Sequence, residues 1–300
     1  MRTSPRPIPI LALVCVTALA GFGIRSNAQN RETRERALFV SAVDKDGEPV
    51  AGLGPDAFIV REDGVRREVL RVSRATEPID IALLIDNSTA ASDEITFFRE
   101  ALSKFVARMS PGNNMAVITL ADRPTIVVDY TNDTKRLSEA VGRLFPMPQS
   151  GMTLLDGILE TSQGLARRET PRAVIVPVIT DGTEFTNRYS TDVVAALERV
   201  DAALHFVGIG QFIYSEEQGI RERSFLMSNG PSKSGGQQIT LLSPHGLDPA
   251  MQRLARELSS QYKVIYGRPQ SLIPPSRTEV SSAKEGVTMR GAPARGESGA

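Results

Sequence analysis

LLIDNSTAASDE, residues 83 to 94, is the stretch that decides the fold. An apolar run carries straight into Asp86 and then into small polar side chains, with Ala90 among them. Upstream the run reaches back to Ile79, so that IDIALLID over 79–86 reads as a strand buried on both faces and ending on an aspartate. Downstream, SDEITFFREALSKFVARM over 92–109 carries apolar residues at helical spacing, with Ser92 as the expected N-cap. A buried strand, a polar turn and an amphipathic helix, in that order, are the repeating unit of a parallel sheet covered by helices.

The same alternation continues along the chain. NMAVITLA (114–121) and PTIVVDY (124–130) are strands joined too tightly for a crossover, and are therefore expected to be antiparallel. TKRLSEAVGRLF (134–145) and TLLDGILETSQGLARR (153–168) read as helices. AVIVPVITD (173–181) reads as a buried strand with Pro177 marking a bulge. TDVVAALERVDA (191–202) is a helix and ALHFVGIG (203–210) the strand after it. Residues 211–240, rich in Ser, Gly and Gln, read as irregular; LDPAMQRLARELSSQ is the last helix and YKVIYG (262–267) the last strand. The expected class is α/β, a doubly wound, mostly parallel six-stranded sheet over 77–267.

The flanks differ from this centre. ALFVSAVDKDGEPVAGL and FIVREDGVRREVLRV place Asp46-Gly47 and Asp63-Gly64 between β-type runs, a strong hairpin signal. Residues 37–74 therefore read as a small antiparallel β module. Residues 268–300 collect Pro, Ser, Gly, Arg and Glu and have too few apolar residues to offset ordering; they read as mostly disordered, with one short strand near Thr278 to Val280.

Residues 1–28 read as a signal peptide: Arg2 and Arg6, an apolar run from Ile8 to Ala20, then Ser26-Asn27-Ala28. The mature chain would start at Gln29 and be periplasmic or secreted. The run falls short of the ~20 residues of a spanning helix, so membrane association is expected only through an uncleaved signal segment. Cys15, the one cysteine in 300 residues, lies inside that run, outside any lipoprotein pattern. Disulfides, thiolate metal sites and cysteine nucleophiles are thereby excluded from the mature chain. With 35 basic and 35 acidic residues, no Trp and 5% aromatics, neither an electrostatic footprint nor a stacking platform for nucleic acid is present.

In an open parallel sheet, ligands bind beyond the carboxyl ends of the strands, where strand order reverses. Asp86 and Asp181 both end strands and should share that rim, and Thr153, which follows the flexible PQSGM loop, can join them. Two aspartates with Ser88 and Thr153 make an oxygen-only donor set, the kind that Mg²⁺ and other hard divalent cations take. Asp156 reads as the acidic first-turn residue of its helix, Glu184 as a solvated loop carboxylate, His205 as a satisfied core histidine and His245 as a solvated or capping residue. Gly208 and Gly210 lack the third glycine of a dinucleotide fingerprint, and GPSKSGG (230–236) reads as a flexible loop.

Asp86-Asn87-Ser88-Thr89-Ala90 resembles the D-x-S-x-S opening of von Willebrand factor A domains. Thr153 matches their single threonine, and Asp181-Gly182 their second aspartate. The flanking segments VDKDGEPVAGLGPDAFIVREDG and LSSQYKVIYG resemble exported bacterial proteins described as VWFA-related. The resemblance implies a metal-ion-dependent adhesion site, with hydroxyls binding the cation directly, aspartates mostly through water, and an open position for an acidic partner group. The chain departs from the motif at Ala90, where the family has serine; a methyl group cannot coordinate, and family geometry would turn Thr89 away. Expected function is thus an exported, non-enzymatic module holding a protein or glycan ligand at the rim, with or without a cation. Two alternatives stand beside it: a scaffolding part of an envelope complex with a vestigial site, and a metal-assisted hydrolase using Asp86, for which the sequence offers no histidine base and only Arg188 as a nearby clamp.

Overall fold

The computed structural model describes residues 33–168, 171–269, 273 and 275–294; the signal segment and Cys15 lie outside the described residues. In chain order, β1 (Thr33–Val43), β2 (Phe58–Glu62), β3 (Val65–Arg67) and β4 (Val69–Arg74) come first. The alternating centre follows as β5 (Ile79–Ile85), α1 (Ile95–Met109), β6 (Asn114–Thr119), β7 (Thr125–Thr131), α2 (Thr134–Gly142), α3 (Leu154–Leu165), β8 (Arg172–Thr180), α4 (Ser190–Arg199), β9 (Ala202–Ile209), α5 (Gln218–Ser234), β10 (Gln237–Leu241) and α6 (Leu247–Ser259). The chain then runs through β11 (Tyr262–Pro269), β12 (Thr278–Ser282) and β13 (Thr288–Pro293).

The centre forms one six-stranded sheet in the order β10-β9-β8-β5-β6-β7, parallel except for β7, which pairs antiparallel with β6. All seven residues of β5 are buried because helices cover both faces. Ile81, Leu83 and Ile85 face Phe98, Leu102 and Phe105 of α1 and Leu254 of α6, whereas Ala82 and Leu84 face Leu155 and Ile158 of α3. Sequence order runs outward in opposite directions from β5 and β8, so the switch point lies between these two neighbours.

Three expectations about this sheet are corrected. Pro177 marks no bulge: β8 pairs with β9 at the same offset on either side of it, Ile175 with Leu204 and Val178 with Val207. Residues 211–240 are not irregular, because α5 and the sixth strand β10 lie within them, and GPSKSGG is the last turn of α5 with Gly235 at φ +77° as its left-handed end. The buried face of α5 is Gly219, Glu222, Arg223, Leu226, Met227, Gly230, Pro231 and Ser234, a stripe at helical spacing built largely from small and polar residues, which hydropathy does not register. Ser92 does not cap α1: its hydroxyl donates to Thr89 O (2.7 Å) within a short 3-10 turn, and Glu94 precedes the first helical residue.

YKVIYG is likewise not a strand of the α/β sheet. β11 pairs antiparallel with β1 from Thr33↔Pro269 to Val40↔Tyr262, and its residues alternate between buried and half-buried, the pattern of a strand with one covered face. β11 lies in a four-stranded sheet, β13-β1-β11-β4, which faces a three-stranded sheet, β12-β2-β3. Leu38, Val40, Phe58, Val60, Tyr262, Val264 and Tyr266 fill the space between them. The 37–74 segment is therefore one part of a β-sandwich completed by the C-terminal strands. Within it, Asp63 (φ 47°) and Gly64 (φ 80°) close the expected two-residue hairpin between β2 and β3. The expected strand near 278–280 is β12, but the segment read as mostly disordered also contains β13, which pairs with β1 over six positions. It pairs with a strand about 250 residues upstream, and of its few apolar residues Met289 joins the core of the sandwich while Ala292 packs against the α/β unit.

Candidate functional site

β5 and β8 deliver Asp86 and Asp181 to the carboxyl edge of the sheet, one strand apart, at the switch point. Their environments differ completely. Asp86 is buried; its Oδ1 accepts from Ser88 N (2.8 Å), and its Oδ2 from Thr180 N (3.1 Å) and the Thr180 hydroxyl (2.5 Å). Three of the carboxylate's roughly four lone-pair directions are thereby taken. Asp181 is exposed and turns toward the end of β9, where Gln211 N donates to its Oδ2 (2.7 Å). That approach requires Gly210, at φ +117°, because a side-chain carbon there would stand 2.5 Å from Asp181 Cγ.

Ser88 is the unusual residue of the rim. It is 1% exposed and its hydroxyl has no hydrogen-bond partner, a state that costs about 1–3 kcal/mol in a buried site. A side-chain carbon placed on Gly182 would lie 3.8 Å from Ser88 Oγ, 3.4 Å from Thr180 Oγ1 and 2.4 Å from Ala90 Cβ, so these three groups converge on one small space. Thr89, by contrast, faces the 147–150 loop, as expected for it: its hydroxyl donates to Met147 O (3.2 Å) and accepts from Ser150 N (3.0 Å). Asn87 ties the same loops together, accepting from Ala121 N and donating to Phe145 O.

Thr153 sits at the head of α3 but does not cap it. Its hydroxyl donates to Leu120 O (2.8 Å), which leaves its lone pairs available. The capping is done by Glu184, whose carboxylate accepts from Leu154 N and Leu155 N (3.2 Å each). Glu184 is therefore a buried structural acid and not the solvated loop residue expected; burial pushes its pKa up to about 8 against the pull of those two amides. Behind it lies Arg223, buried on α5, which donates to Gly182 O and is lowered in pKa by burial. Asp156 keeps its first-turn place and accepts from the Thr186 hydroxyl and Arg188 Nε (2.8 Å each), so Arg188 is bound to Asp156 and is no free clamp. An open cleft of about 770 Å³ runs beside Thr153, edged by Asp122, Asp156, Glu160, Glu184 and Glu217.

The two histidines stay outside the site. His205 is buried in β9, but neither ring nitrogen has a partner, and burial lowers its pKa to about 4; it is a core histidine without the expected hydrogen bonds. His245 packs at a tilt on Phe97 (4.8 Å between centroids, 59° between planes) and meets Ser243 Oγ.

Of the four residues expected at the rim, Asp86 and Ser88 are joined directly, Thr153 is tied to Leu120 O at the end of the neighbouring strand, and Asp181 ends β8 with its carboxylate accepting from Gln211 N. Sequence reading missed Thr180, although that residue directly precedes Asp181, and it missed Arg223, hidden in a helix without a hydropathy signal. Among the described residues no three acidic, histidine or cysteine side chains form a metal-holding group. Any cation here would depend on hydroxyl donors, and the unpartnered Ser88 hydroxyl, the lone pairs of Thr153 and the remaining capacity of Asp86 fit a hard ion with one serine fewer than the adhesion motif provides.

The model of the von Willebrand factor type A domain matches residues 80–229. No curated protein matches the chain. Solved structures with a similar fold include the vWF domain of a type V pilus tip protein from Porphyromonas gingivalis (13% identity, 61% of this chain and 95% of that one, TM-score 0.45). Proximal thread matrix protein 1 from the mussel byssus, solved with zinc in its MIDAS motif, is 17% identical over 69% of this chain and 50% of that one, with a TM-score of 0.49. A von Willebrand factor type A protein from Catenulispora acidiphila is 12% identical over 88% and 74%, with a TM-score of 0.48.

Proposed function

The chain belongs to the von Willebrand factor type A domain family, and on that footing we propose that it is an exported, non-enzymatic binding module that holds a protein or glycan ligand at the carboxyl edge of its α/β sheet. The observation that carries this reading is the placement of exposed apolar side chains. Phe145 and Met147 precede α3, Phe185 and Tyr189 follow β8, and Ile213 and Tyr214 follow β9, so three loops at one edge present large apolar groups to solvent around Asp86, Ser88 and Thr153. Apolar groups clustered beside polar ones are the composition of a protein-contact surface.

Asp86, Ser88 and Thr153 are the residues that would hold a divalent cation such as Mg²⁺ at this rim, with Asp181 adding negative charge from the neighbouring strand. A bound cation would supply an open coordination position for an acidic group of the ligand. Hydrolysis is disfavoured because Arg188 is engaged by Asp156 and His205 is sealed in the sheet. Capture of a partner by the purified mature chain, with and without chelator, tests the reading: Asp86→Ala or Thr153→Ala should weaken capture while leaving the circular dichroism spectrum intact. Undiminished capture by both variants would remove the rim as the site, and turnover of model phosphate or ester substrates, lost in Asp86→Ala, would replace binding with catalysis.

One observation favours a second reading, in which the rim is vestigial and the sandwich makes the contacts of a scaffolding part: the Ala90 methyl occupies the ligand serine's place against Gly182. In that case capture would survive rim variants and fail when the sandwich surface is altered.

A further inference from the structure

β13 is the strand on which the two architectures meet. Met289 packs into the sandwich core, whereas Ala292 packs into the core that holds Leu254 and Leu258 of α6. Arg290, two residues before Ala292, lies on the same face of the strand, and its guanidinium donates to Glu257 Oε2 of α6 (2.9 Å). The same oxygen accepts from Gln237 Nε2 of β10 (2.9 Å). Gln237 is the register partner of His205 in β9, and partners in a parallel ladder point to one face. That face is fixed by Ala203 and Val207 of β9, Val176 of β8 and Ile239 of β10, all of which pack with α6. His205 therefore faces the patch where α6, β10 and β13 are tied together, and both it and Glu257 are buried.

Four buried atoms of this patch have no hydrogen-bond partner among the described residues: both ring nitrogens of His205, Oε1 of Glu257 and Nε of Arg290. One carboxylate oxygen carries the tie between α6 and β13, and a network satisfied only in part is sensitive to any added charge. We propose that His205 makes this tie an acid-operated latch: a proton taken up by the imidazole sets a second cation against the single carboxylate of Glu257, and β13 is released from the α/β unit while its pairing with β1 holds. The charged groups that face the ring are Glu257 from α6 and Arg290 from β13; β8 and β10 meet it with Val176 and Gln237. Burial lowers the His205 pKa to about 4 in the closed junction, with Glu257 raising it and Arg290 lowering it, against 6.5 for the ring in water. The released form takes the proton first. The junction is therefore shut above pH 6.5, and opening gains nearly tenfold for each pH unit between these two values. The inference is independent of the rim reading.

The chain from Gln29 onward has no cysteine of its own, so nitroxide labels on Ala195→Cys in α4 and Glu285→Cys between β12 and β13, both exposed positions, report the separation of the two units by double electron–electron resonance. One distance is expected at pH 7, and a longer component should grow as pH falls from about 6 to about 4.5 with the far-ultraviolet circular dichroism unchanged. His205→Leu should keep the short distance throughout, and Glu257→Gln, which breaks the tie without a proton, should show the longer component already at pH 7. No lengthening in the wild type by pH 4.5, equal lengthening in His205→Leu, an unaltered Glu257→Gln, or circular dichroism lost together with the short distance would each overturn the latch. The ring itself is checked by nuclear magnetic resonance of the unlabelled wild type carrying ¹³C-histidine. Of the two histidines, the one whose signal persists in His245→Gln should titrate well below 6.5, and higher in Arg290→Gln than in the wild type. A wild-type signal that titrates near 6.5 overturns the inference as well.

Discussion

The α/β unit and the β-sandwich draw on the chain in opposite ways. Every strand of the six-stranded sheet lies between residues 79 and 241, whereas the sandwich joins β1–β4 from residues 33–74 to β11–β13 from residues 262–293. β1 sits between β13 and β11, so both of its hydrogen-bonding edges are paired by strands from the C-terminal half. The α/β unit is in effect an insertion whose two ends return to one place. Arg172 marks the closure: its guanidinium donates to Glu77 O, Leu258 O and Gln261 Oε1, while Ala75 N donates to Gln261 O. Burial lowers this arginine's pKa to about 10. A unit made of neighbouring segments forms its contacts at small loop-closure cost, and a unit made of the two chain ends pays for about 190 intervening residues.

The sharpest way to break this comparison is Tyr262→Ala. Tyr262 opens β11, packs edge-to-face on Phe58 at 5.4 Å, donates its hydroxyl proton to Val50 O and accepts from Leu53 N. One substitution removes a core ring that joins the two chain ends and orphans a buried amide, at about 4 kcal/mol. In hydrogen exchange, amides of β1 and β2 should lose protection while those of β5 and β8 keep theirs. Equal loss in both regions would show that the sandwich and the α/β unit unfold as one.

Two buried titratable groups of the α/β unit come next. Glu184 lies in the α/β unit with a folded pKa of about 8 against an ordinary 4.5. The folded state therefore holds a proton that the unfolded state releases, and stability falls as pH rises through that window by up to about 1.4 kcal/mol per unit, roughly 3 kcal/mol by pH 7. Glu184→Gln should flatten this decline and raise the urea midpoint at pH 7 but not at pH 4. His205 acts from the other side: with its pKa lowered from 6.5 to about 4, the unfolded state binds the proton first. Stability is then complete above pH 6.5 and lost as pH falls toward 4, about 2 kcal/mol by pH 5. His205→Leu should abolish the acid-side loss. If either slope survives its substitution, the group responsible lies elsewhere.

The comparison also explains which parts of the molecule could be read from sequence. Strand β5 announces itself because burial on both faces makes a continuous apolar run, and Asp86 with Ser88 stand out because they interrupt it. β13 was invisible because its partners lie at the other end of the chain, and α5 because Gly219, Arg223, Gly230 and Ser234 pack through shape and hydrogen bonds that a hydropathy pattern does not weigh. At the site, Asp86 and Thr153 were found by position along the chain. The orientation of Asp181 was not, since it follows from a contact with Gln211 on another strand. Glu184 looked like a solvated loop carboxylate because nothing local shows that its side chain ends under the first turn of α3.

The smallest effects give the cleanest control, because the same local chemistry occurs once in each region. Gly64 closes the β2–β3 hairpin at φ +80°, a conformation that costs an alanine about 1 kcal/mol. Asp133 caps α2, its Oδ1 accepting from Arg136 N at 3.1 Å, and its loss in Asp133→Ala also costs about 1 kcal/mol. The hairpin was legible in Asp63-Gly64, whereas the Asp133 cap emerges only from the structure, and neither depends on the other region. If the sandwich and the α/β unit open separately, Gly64→Ala should raise exchange in β2, β3 and β12 alone, and Asp133→Ala in α2 and its neighbours β6 and β7 alone, although the two cost the same. If they open together, both substitutions should lower protection everywhere by the same amount, and the position of a substitution along the chain would cease to matter. Equal energies placed in different regions therefore report whether closure at Arg172 couples the two architectures or only holds them side by side.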